Sequence, residues 1–149
     1  MHIRPYRDTD WEMVCEIYDA AKPDEMRGVI HPSAIPPLAA DPDMLALFRD
    51  SRILLMEDAN EIVGFSGSRD NSITWLFVHP RHRRKGIARA LVLAVVAQLR
   101  GPVTLHVAMC NEAAYSLYLR VGFTVEREFI GQFHGHPCPA AKLRYEQAA

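Results

Sequence analysis

Apolar residues in the N-terminal third of the chain follow a helical period. From Val14 to Ala21 they recur three and four positions apart, which predicts a first helix that runs to about Lys22. The run Thr9-Asp10-Trp11-Glu12 has the Thr-x-x-Glu form of a capping box, so the helix is predicted to begin there. The proline-rich stretch Pro23–Ala40 predicts a loop or a broken helix, a kind of segment that often covers a binding site.

Short apolar runs parted by turn residues predict most of the remaining structure. Strands are predicted at His2–Tyr6, Ile53–Glu57, Ile62–Ser68, Ser72–Val78, Val103–Val107, Thr124–Phe129 and Ala140–Tyr145. Further helices are predicted at Asp43–Arg49, Ile87–Leu99 and Glu112–Val121. Helices and strands alternate with no linker or repeat between them, which predicts one α/β (α+β) domain over residues 1–149.

Composition narrows the class of protein. A chain of 149 residues suits a single domain with its own core, and 49% hydrophobic residues with 23% charged residues is ordinary for a globular protein. The net charge of −1 argues against general attraction to nucleic acid or acidic membrane, so an anion site has to come from a local cluster. Three widely spaced cysteines and the absence of a signal-like apolar run lead us to expect a cytoplasmic protein.

The most informative segment, Val78–Ala88, joins a predicted strand to a predicted helix. Gly86 and Ala88 are small, so a phosphate could approach the unpaired backbone N–H groups of the helix start. Five cationic residues surround them: Arg81, Arg83, Arg84, Lys85 and Arg89. A solvated basic loop is the plainer alternative. The spacing fits neither a dinucleotide-binding motif nor a Walker motif. No aromatic residues alternate with the cationic ones, as they would in a typical single-strand nucleic-acid site.

A second segment, Asn111–Phe123, reads as a capped amphipathic helix. Asn111 is a natural N-cap, and Gly122 suits a C-cap with a left-handed backbone. The apolar face between them is formed by Ala114, Leu117, Tyr118 and Val121. From spacing alone, Tyr118 could simply complete the core.

Both segments resemble signatures of the GCN5-related N-acetyltransferases (GNAT). Arg83–Ala88 resembles the Arg/Gln-x-x-Gly-x-Gly/Ala turn, and Asn111–Phe123 resembles the block Asn-x-x-Ala-x-x-Leu-Tyr-x-x-x-Gly-Phe. The resemblance implies a mixed, twisted sheet of about seven strands flanked by about four helices, with strands four and five splayed apart. It also implies acetyl-coenzyme A as co-substrate. The implied cofactor-binding residues are Phe77, Val78, Arg83, Arg84, Lys85, Gly86, Ile87, Ala88, Arg89, Asn111 and Tyr115.

The resemblance further implies catalytic roles. Tyr118 stands where the family places the acid that protonates the departing thiolate. Many members use a glutamate near the start of strand four as the general base, but the aligned residue here is about Ser72. Other members carry this glutamate in the next strand, at the position of His106. An imidazole could take the proton there. His134 and His136 are rival bases, and the alternative for each histidine is a structural role.

The acceptor is less well defined by the sequence. The candidate substrate-binding residues are Arg27, Trp75, Phe133, His134 and His136. Because this set is poor in carboxylates, it favours a small amine that carries an acidic or polar group over a polycation. We expect no metal site, since the loop around His134 offers too few ligands at convincing spacing.

Other functions stay open at this level. A peptide N-terminus or a lysine side chain could be the acceptor, and the missing strand-four carboxylate would also fit a non-catalytic acyl-coenzyme A sensor. We expect no nucleic-acid or membrane partner, because only Arg81–Lys85 would support one. A homodimer is compatible with the resemblance, since dimers are common in the family.

Overall fold

The computed structural model describes residues 1–149, which form a seven-stranded sheet and four α-helices. The strands are β1 His2–Pro5, β2 Arg52–Asp58, β3 Glu61–Arg69, β4 Ser72–Val78, β5 Val103–Ala108, β6 Thr124–Phe133 and β7 His136–Tyr145. The helices are α1 Trp11–Glu25, α2 Pro42–Asp50, α3 Ile87–Gln98 and α4 Glu112–Val121. The strand order is β1-β2-β3-β4-β5-β7-β6, and the sheet is mixed because only β4 and β5 run parallel.

Strands β4 and β5 pair only at their first residues. The register joins Ser72 to Thr104 and Ile73 to Leu105, and no further pairs follow. In β4, Ile73 and Trp75 face consecutive residues of β3, so Thr74 is an extra residue that bulges from the ladder. The predicted splay between strands four and five is therefore confirmed, and it opens a gap in the middle of the sheet.

The helices cover the sheet on both faces. On one face, α1 and α2 pack with Phe65, Trp75 and Phe77 in an apolar cluster. On the other face, residues of α3 and α4 pack with Leu105 and Leu143. Apolar area is removed from water in both layers, which is the main force that holds the sheet between its helices.

The first helix departs from the sequence prediction at both ends. It continues to Glu25 with Pro23 inside it, although proline lacks the N–H that the helical ladder uses. The predicted capping box is wrong, because the carboxylate of Asp10 accepts a hydrogen bond from the Arg7 backbone N–H at 2.8 Å. The same carboxylate receives two guanidinium bonds from Arg4, each of 2.9 Å, and these fix the chain where α1 begins.

The hairpin at the C-terminus is also longer than the sequence suggested. Strands β6 and β7 extend to Phe133 and His136, so most of the segment between the two predicted strands is paired. His134 and Gly135 make the tight turn with positive φ angles of 46° and 79°. Two short 3-10 helices, Pro32–Ala34 and Leu38–Ala40, lie within the segment predicted as a loop or broken helix. No helix is both long and apolar enough to cross a membrane.

Gly64 lets β3 and α3 approach closely. A Cβ atom at this position would lie 2.9 Å from the backbone oxygen of Phe77 and 3.2 Å from Leu91 Cδ1. Because a backbone atom cannot yield as a side chain can, we expect Gly64→Ala to lower the free energy of unfolding by about 1–3 kcal/mol. Chemical denaturation would measure this, with Gly131→Ala as a control whose added Cβ makes only ordinary contacts, the nearest at 3.4 Å from the Phe129 ring. Equal stability of Gly64→Ala and the parent protein would contradict the expectation.

Candidate active site

The turn between β4 and α3 presents unpaired backbone donors. Arg84 and Gly86 both have left-handed backbone angles, with φ of 63° and 76°, and these turn the chain sharply into α3. The first helical hydrogen bond runs from Ala90 N–H to the Gly86 carbonyl, which leaves the preceding N–H groups of the helix free. Nothing lies within 4 Å of a Cβ built on Gly86, so an anion can reach this backbone.

A groove of about 1260 Å³ runs past this turn, and we call it the turn groove. Nine of the eleven predicted cofactor residues line it: Phe77, Val78, Arg83, Arg84, Gly86, Ile87, Ala88, Arg89 and Asn111. The other two, Lys85 and Tyr115, are not among the lining residues. Lys85 Nζ lies 3.3 Å from His82 Nδ1, and Tyr115 packs against the apolar cluster under α4.

A hydrogen bond joins the end of α1 to the wall of the turn groove. Arg83 donates a hydrogen bond of 2.7 Å to Asp24, which is 59 residues away in sequence. This bond, followed by one from Arg27, lowers the pKa of the Asp24 carboxyl. Arg27, which the sequence suggested for the substrate, lines the turn groove and is 77% exposed.

A second space, the central cavity, lies in the gap between β4 and β5. It has a volume of about 380 Å³, and 16 of its 23 lining residues are hydrophobic. The charged side chains on its wall are Lys22 and Glu25 of α1, and His106 of β5 also lines it. The cavity is therefore a largely apolar chamber with a few polar groups, as small-molecule sites usually are.

The turn groove and the central cavity adjoin each other. Five residues line both: Glu25, Leu76, Phe77, Asn111 and Ala114. Asn111 caps α4, since its side chain accepts a bond from Ala114 N–H at 3.4 Å, and its amide nitrogen lies 3.5 Å from Glu25 Oε1. A ligand in the groove and a second ligand in the cavity would thus meet beside these residues.

Tyr118 lines the central cavity from α4. Its side chain is 5% exposed and its ring packs edge-on against Phe123 at a centroid distance of 5.5 Å. Burial raises the pKa of the Tyr118 phenol, and the charge of Glu25 raises it further. The phenol therefore stays protonated through the neutral range and can act as a proton donor.

His106 lines the central cavity from β5. Its ring is 5.1 Å from the ring of Phe129, measured between centroids. Burial lowers the pKa of the imidazole, and the positive charges of Arg127 and Lys142 lower it further. At neutral pH the ring is therefore mostly uncharged and able to accept a proton.

The structure separates the predicted substrate residues. Trp75 and Phe133 line the central cavity, whereas His134 and His136 do not. Nε2 of His134 lies 2.7 Å from a carboxylate oxygen of the fully buried Asp41, which joins the hairpin tip to the start of α2. His136 is exposed on β7.

Sequence reasoning did not single out Lys22 or Glu25 as site residues, and because it ended the first helix at about Lys22 it left Glu25 outside the helix. The signal was present, since Lys22 lies four residues after Tyr18 and Glu25 four after Ala21, which extends the apolar stripe by one turn. The helix continues through Pro23, so both charged side chains lie on the cavity wall.

The chain resembles known proteins in sequence and in structure. The Acetyltransferase (GNAT) family profile matches residues 11–123. A segment of 77 residues is 41% identical to the human cysteine-rich protein 2-binding protein. That match spans 51% of this chain but only 10% of the human protein, so the chain corresponds to a small part of it.

Solved structures share the fold over nearly the whole chain. A GCN5-related N-acetyltransferase from Rhodopseudomonas palustris has a TM-score of 0.80 at 16% identity, covering 98% of this chain and 95% of its own. The YncA protein of Salmonella typhimurium, solved with its cofactor acetyl-CoA, has a TM-score of 0.72 at 19% identity, with coverage of 100% and 96%. Arabidopsis thaliana NAA60 in complex with a bisubstrate analogue gives 0.73 at 20% identity, with 97% of both chains covered.

These structural likenesses establish the fold, and the family profile spans both the turn between β4 and α3 and helix α4 with Tyr118. The chain belongs to the GNAT family of acetyltransferases.

Proposed function

We propose that the protein transfers an acetyl group from acetyl-coenzyme A to the primary amine of a small molecule, one that bears an acidic or polar group. The observation that carries the proposal is that the turn groove and the central cavity adjoin, with Asn111, Phe77 and Glu25 on the walls of both. The cavity of about 380 Å³ suits a small acceptor. The alternative acceptor is a peptide N-terminus or a lysine side chain. The assay described below distinguishes it from a small-molecule amine.

The turn groove fits the cofactor chemically. Free N–H groups at the start of α3, with open space over Gly86, suit a pyrophosphate, and Arg84 and Arg89 add positive charge on the groove wall. The splayed edge of β4 leaves backbone groups near Thr74 without strand partners, and these can hydrogen-bond the pantetheine arm and polarise the thioester carbonyl.

Two side chains handle protons in this proposal. His106, whose neutral form dominates, accepts the proton of the incoming ammonium, either directly or through water. The free amine then attacks the thioester carbon in the gap between β4 and β5. Tyr118, whose hydroxyl makes no hydrogen bond within the protein, protonates the thiolate as the C–S bond breaks, and the proton that the nitrogen loses on becoming an amide restores the phenol directly or through water. Attack is direct, so no acyl-enzyme forms.

The test is thiol release from acetyl-coenzyme A with a panel of small amino acids, simple amines and short peptides, with products identified by mass spectrometry. We expect amine-dependent thiol release with an N-acetylated small molecule as product. Turnover of peptides alone would make the peptide acceptor correct. Cofactor binding without turnover of any amine would instead support an acyl-coenzyme A sensor.

If His106 is the general base, kcat/KM should depend on the protonation state of its imidazole. With an acceptor amine that stays protonated over the whole pH range tested, kcat/KM should rise with pH along a limb whose apparent pKa lies below the ordinary imidazole value of about 6.5. Arg127→Met removes a charge that lowers the His106 pKa, so this limb should move to higher pH. His106→Gln should lack the limb altogether.

Arg49→Met serves as the control for this measurement. It removes the same charge from an exposed position on α2 and should leave the limb in place. If Arg127→Met and Arg49→Met gave the same pH profile as the parent protein, His106 would not be the base.

A further inference from the structure

Two hydrogen-bond donors are buried without partners on the wall of the central cavity. The Tyr18 hydroxyl and the Trp75 indole N–H are the buried side-chain polar atoms that make no hydrogen bond in the protein. Their residues are 0% and 2% exposed, and both line the cavity. Because an unpaired buried donor is unfavourable, both atoms would gain from acceptor atoms brought into this chamber.

A buried cation lies beside these donors. Lys22 is 8% exposed, and its ammonium pairs with Glu25. The ammonium also lies 4.7 Å from the ring centroid of Phe133 and 5.7 Å from that of Tyr18. An ammonium has three N–H donors, and Glu25 is the one hydrogen-bonding partner in the protein. The remaining donors share the chamber with the Tyr18 hydroxyl and the Trp75 indole.

These groups form a single cluster, since the Tyr18 and Trp75 rings are 6.0 Å apart between centroids. Every unpaired atom in the cluster can donate, and one belongs to a cation. A neutral carbonyl or a water molecule would satisfy one or two of these donors. A carboxylate offers several acceptor sites, and its bonds to the N–H groups that the ammonium has left after pairing with Glu25 are charge-assisted and therefore stronger.

We infer that Lys22, Tyr18 and Trp75 form a subsite for a carboxylate group on the acceptor amine. The inference rests on the proposed acetyltransferase function and defines its substrate class. Glu25 contacts Lys22 and also lines the junction with the turn groove. The subsite therefore lies close to the junction, and the preferred acceptor carries its carboxylate a few bonds from the reacting amine, as an α-amino acid does.

The first test compares phenylalanine with phenethylamine, and leucine with 3-methylbutylamine, as acceptors at saturating acetyl-coenzyme A. Each pair differs only by the carboxylate. Parent protein should favour the carboxylate member in kcat/KM by about tenfold or more, mostly through KM, because the carboxylate makes charge-assisted bonds. Lys22→Met should bring this ratio close to one, and Lys22→Arg should restore part of it. Tyr18→Phe, which removes only the hydroxyl, should lower the ratio by a smaller factor.

Arg49→Met is the matched control, since it removes one positive charge from the exposed face of α2 without touching the cavity. It should keep the parent ratio. If the parent protein turned over both members of each pair equally, or if Lys22→Met lowered both members by the same factor, the subsite assignment would be wrong.

A binding measurement separates this inference from the proposed function. Calorimetric titration of the coenzyme A complex with N-acetylphenylalanine and with N-acetylphenethylamine needs no turnover. Tighter binding of the carboxylate compound to the parent protein, lost in Lys22→Met, supports the subsite even if no amine is acetylated, in which case only the proposed catalysis fails. Equal binding of the two compounds overturns the subsite, even if amines are acetylated.

Discussion

Replacing Tyr118 with phenylalanine should lower kcat by about 100-fold or more, which is the usual scale for a lost general acid. The change removes one oxygen atom from a side chain that is 5% exposed and leaves the ring against Phe123. Since the hydroxyl has no protein hydrogen bond, no partner is orphaned and the fold should be unaffected. Single-turnover thiol release, beside acetyl-coenzyme A binding, would separate the loss in chemistry from any loss in affinity.

Tyr145→Phe is a suitable control for this measurement. Tyr145 also packs against Phe123, at a centroid distance of 5.2 Å, but it lines neither the central cavity nor the turn groove. It should keep the parent kcat. Because the raised pKa keeps the Tyr118 phenol protonated through the neutral range, the defect in Tyr118→Phe should be the same at each neutral pH tested. A Tyr118→Phe protein with the parent kcat would exclude this residue as the acid.

Acetyl-coenzyme A should raise the melting temperature of the parent protein by several degrees, and the double variant Arg84→Glu, Gly86→Asp should lose this shift. A ligand at about 100 times its dissociation constant stabilises the folded state by about 2.7 kcal/mol. The variant puts two carboxylates where the free N–H groups of α3 would meet a pyrophosphate. Thermal unfolding with and without the cofactor measures the difference within each protein, so a lower baseline stability of the variant does not matter.

Arg100→Glu provides the comparison, since it reverses an exposed charge just beyond the other end of α3. Its cofactor-induced shift should match that of the parent protein. A parent protein that showed no shift at millimolar cofactor would remove the basis for the acetyltransferase proposal, and the basic turn would need another ligand.

The elements that sequence predicted best are those fixed by local signals. Helix α4 begins after its Asn111 cap and ends before Gly122, and strand β4 has the predicted bounds. In both, caps or turns at the ends agree with the apolar period inside. The turn before α3 was recognised in the same way, because a glycine with a left-handed backbone and a run of cations lie within a few residues.

What sequence could not show depends on contacts between distant residues. The position of β7 between β5 and β6 and the bulge at Thr74 are set by pairing across the sheet. The prediction for His134 did not anticipate its contact with Asp41, which is 93 residues away. Pro23 was read as a helix end, although packing of α1 on the sheet outweighs the cost of one missing hydrogen bond. That misreading left Glu25 outside the predicted helix.

The continuation of α1 past Pro23 has a consequence for how two ligands affect each other's binding. Its last turn holds Asp24, which is bonded to Arg83 in the turn before α3, and Glu25, which lines the central cavity. One helical turn thus contacts both the turn groove and the central cavity. A ligand in the groove that repositions Arg83 would also reposition part of the cavity wall. We therefore expect thermodynamic linkage between the two spaces, with each ligand changing the affinity for the other by the same factor.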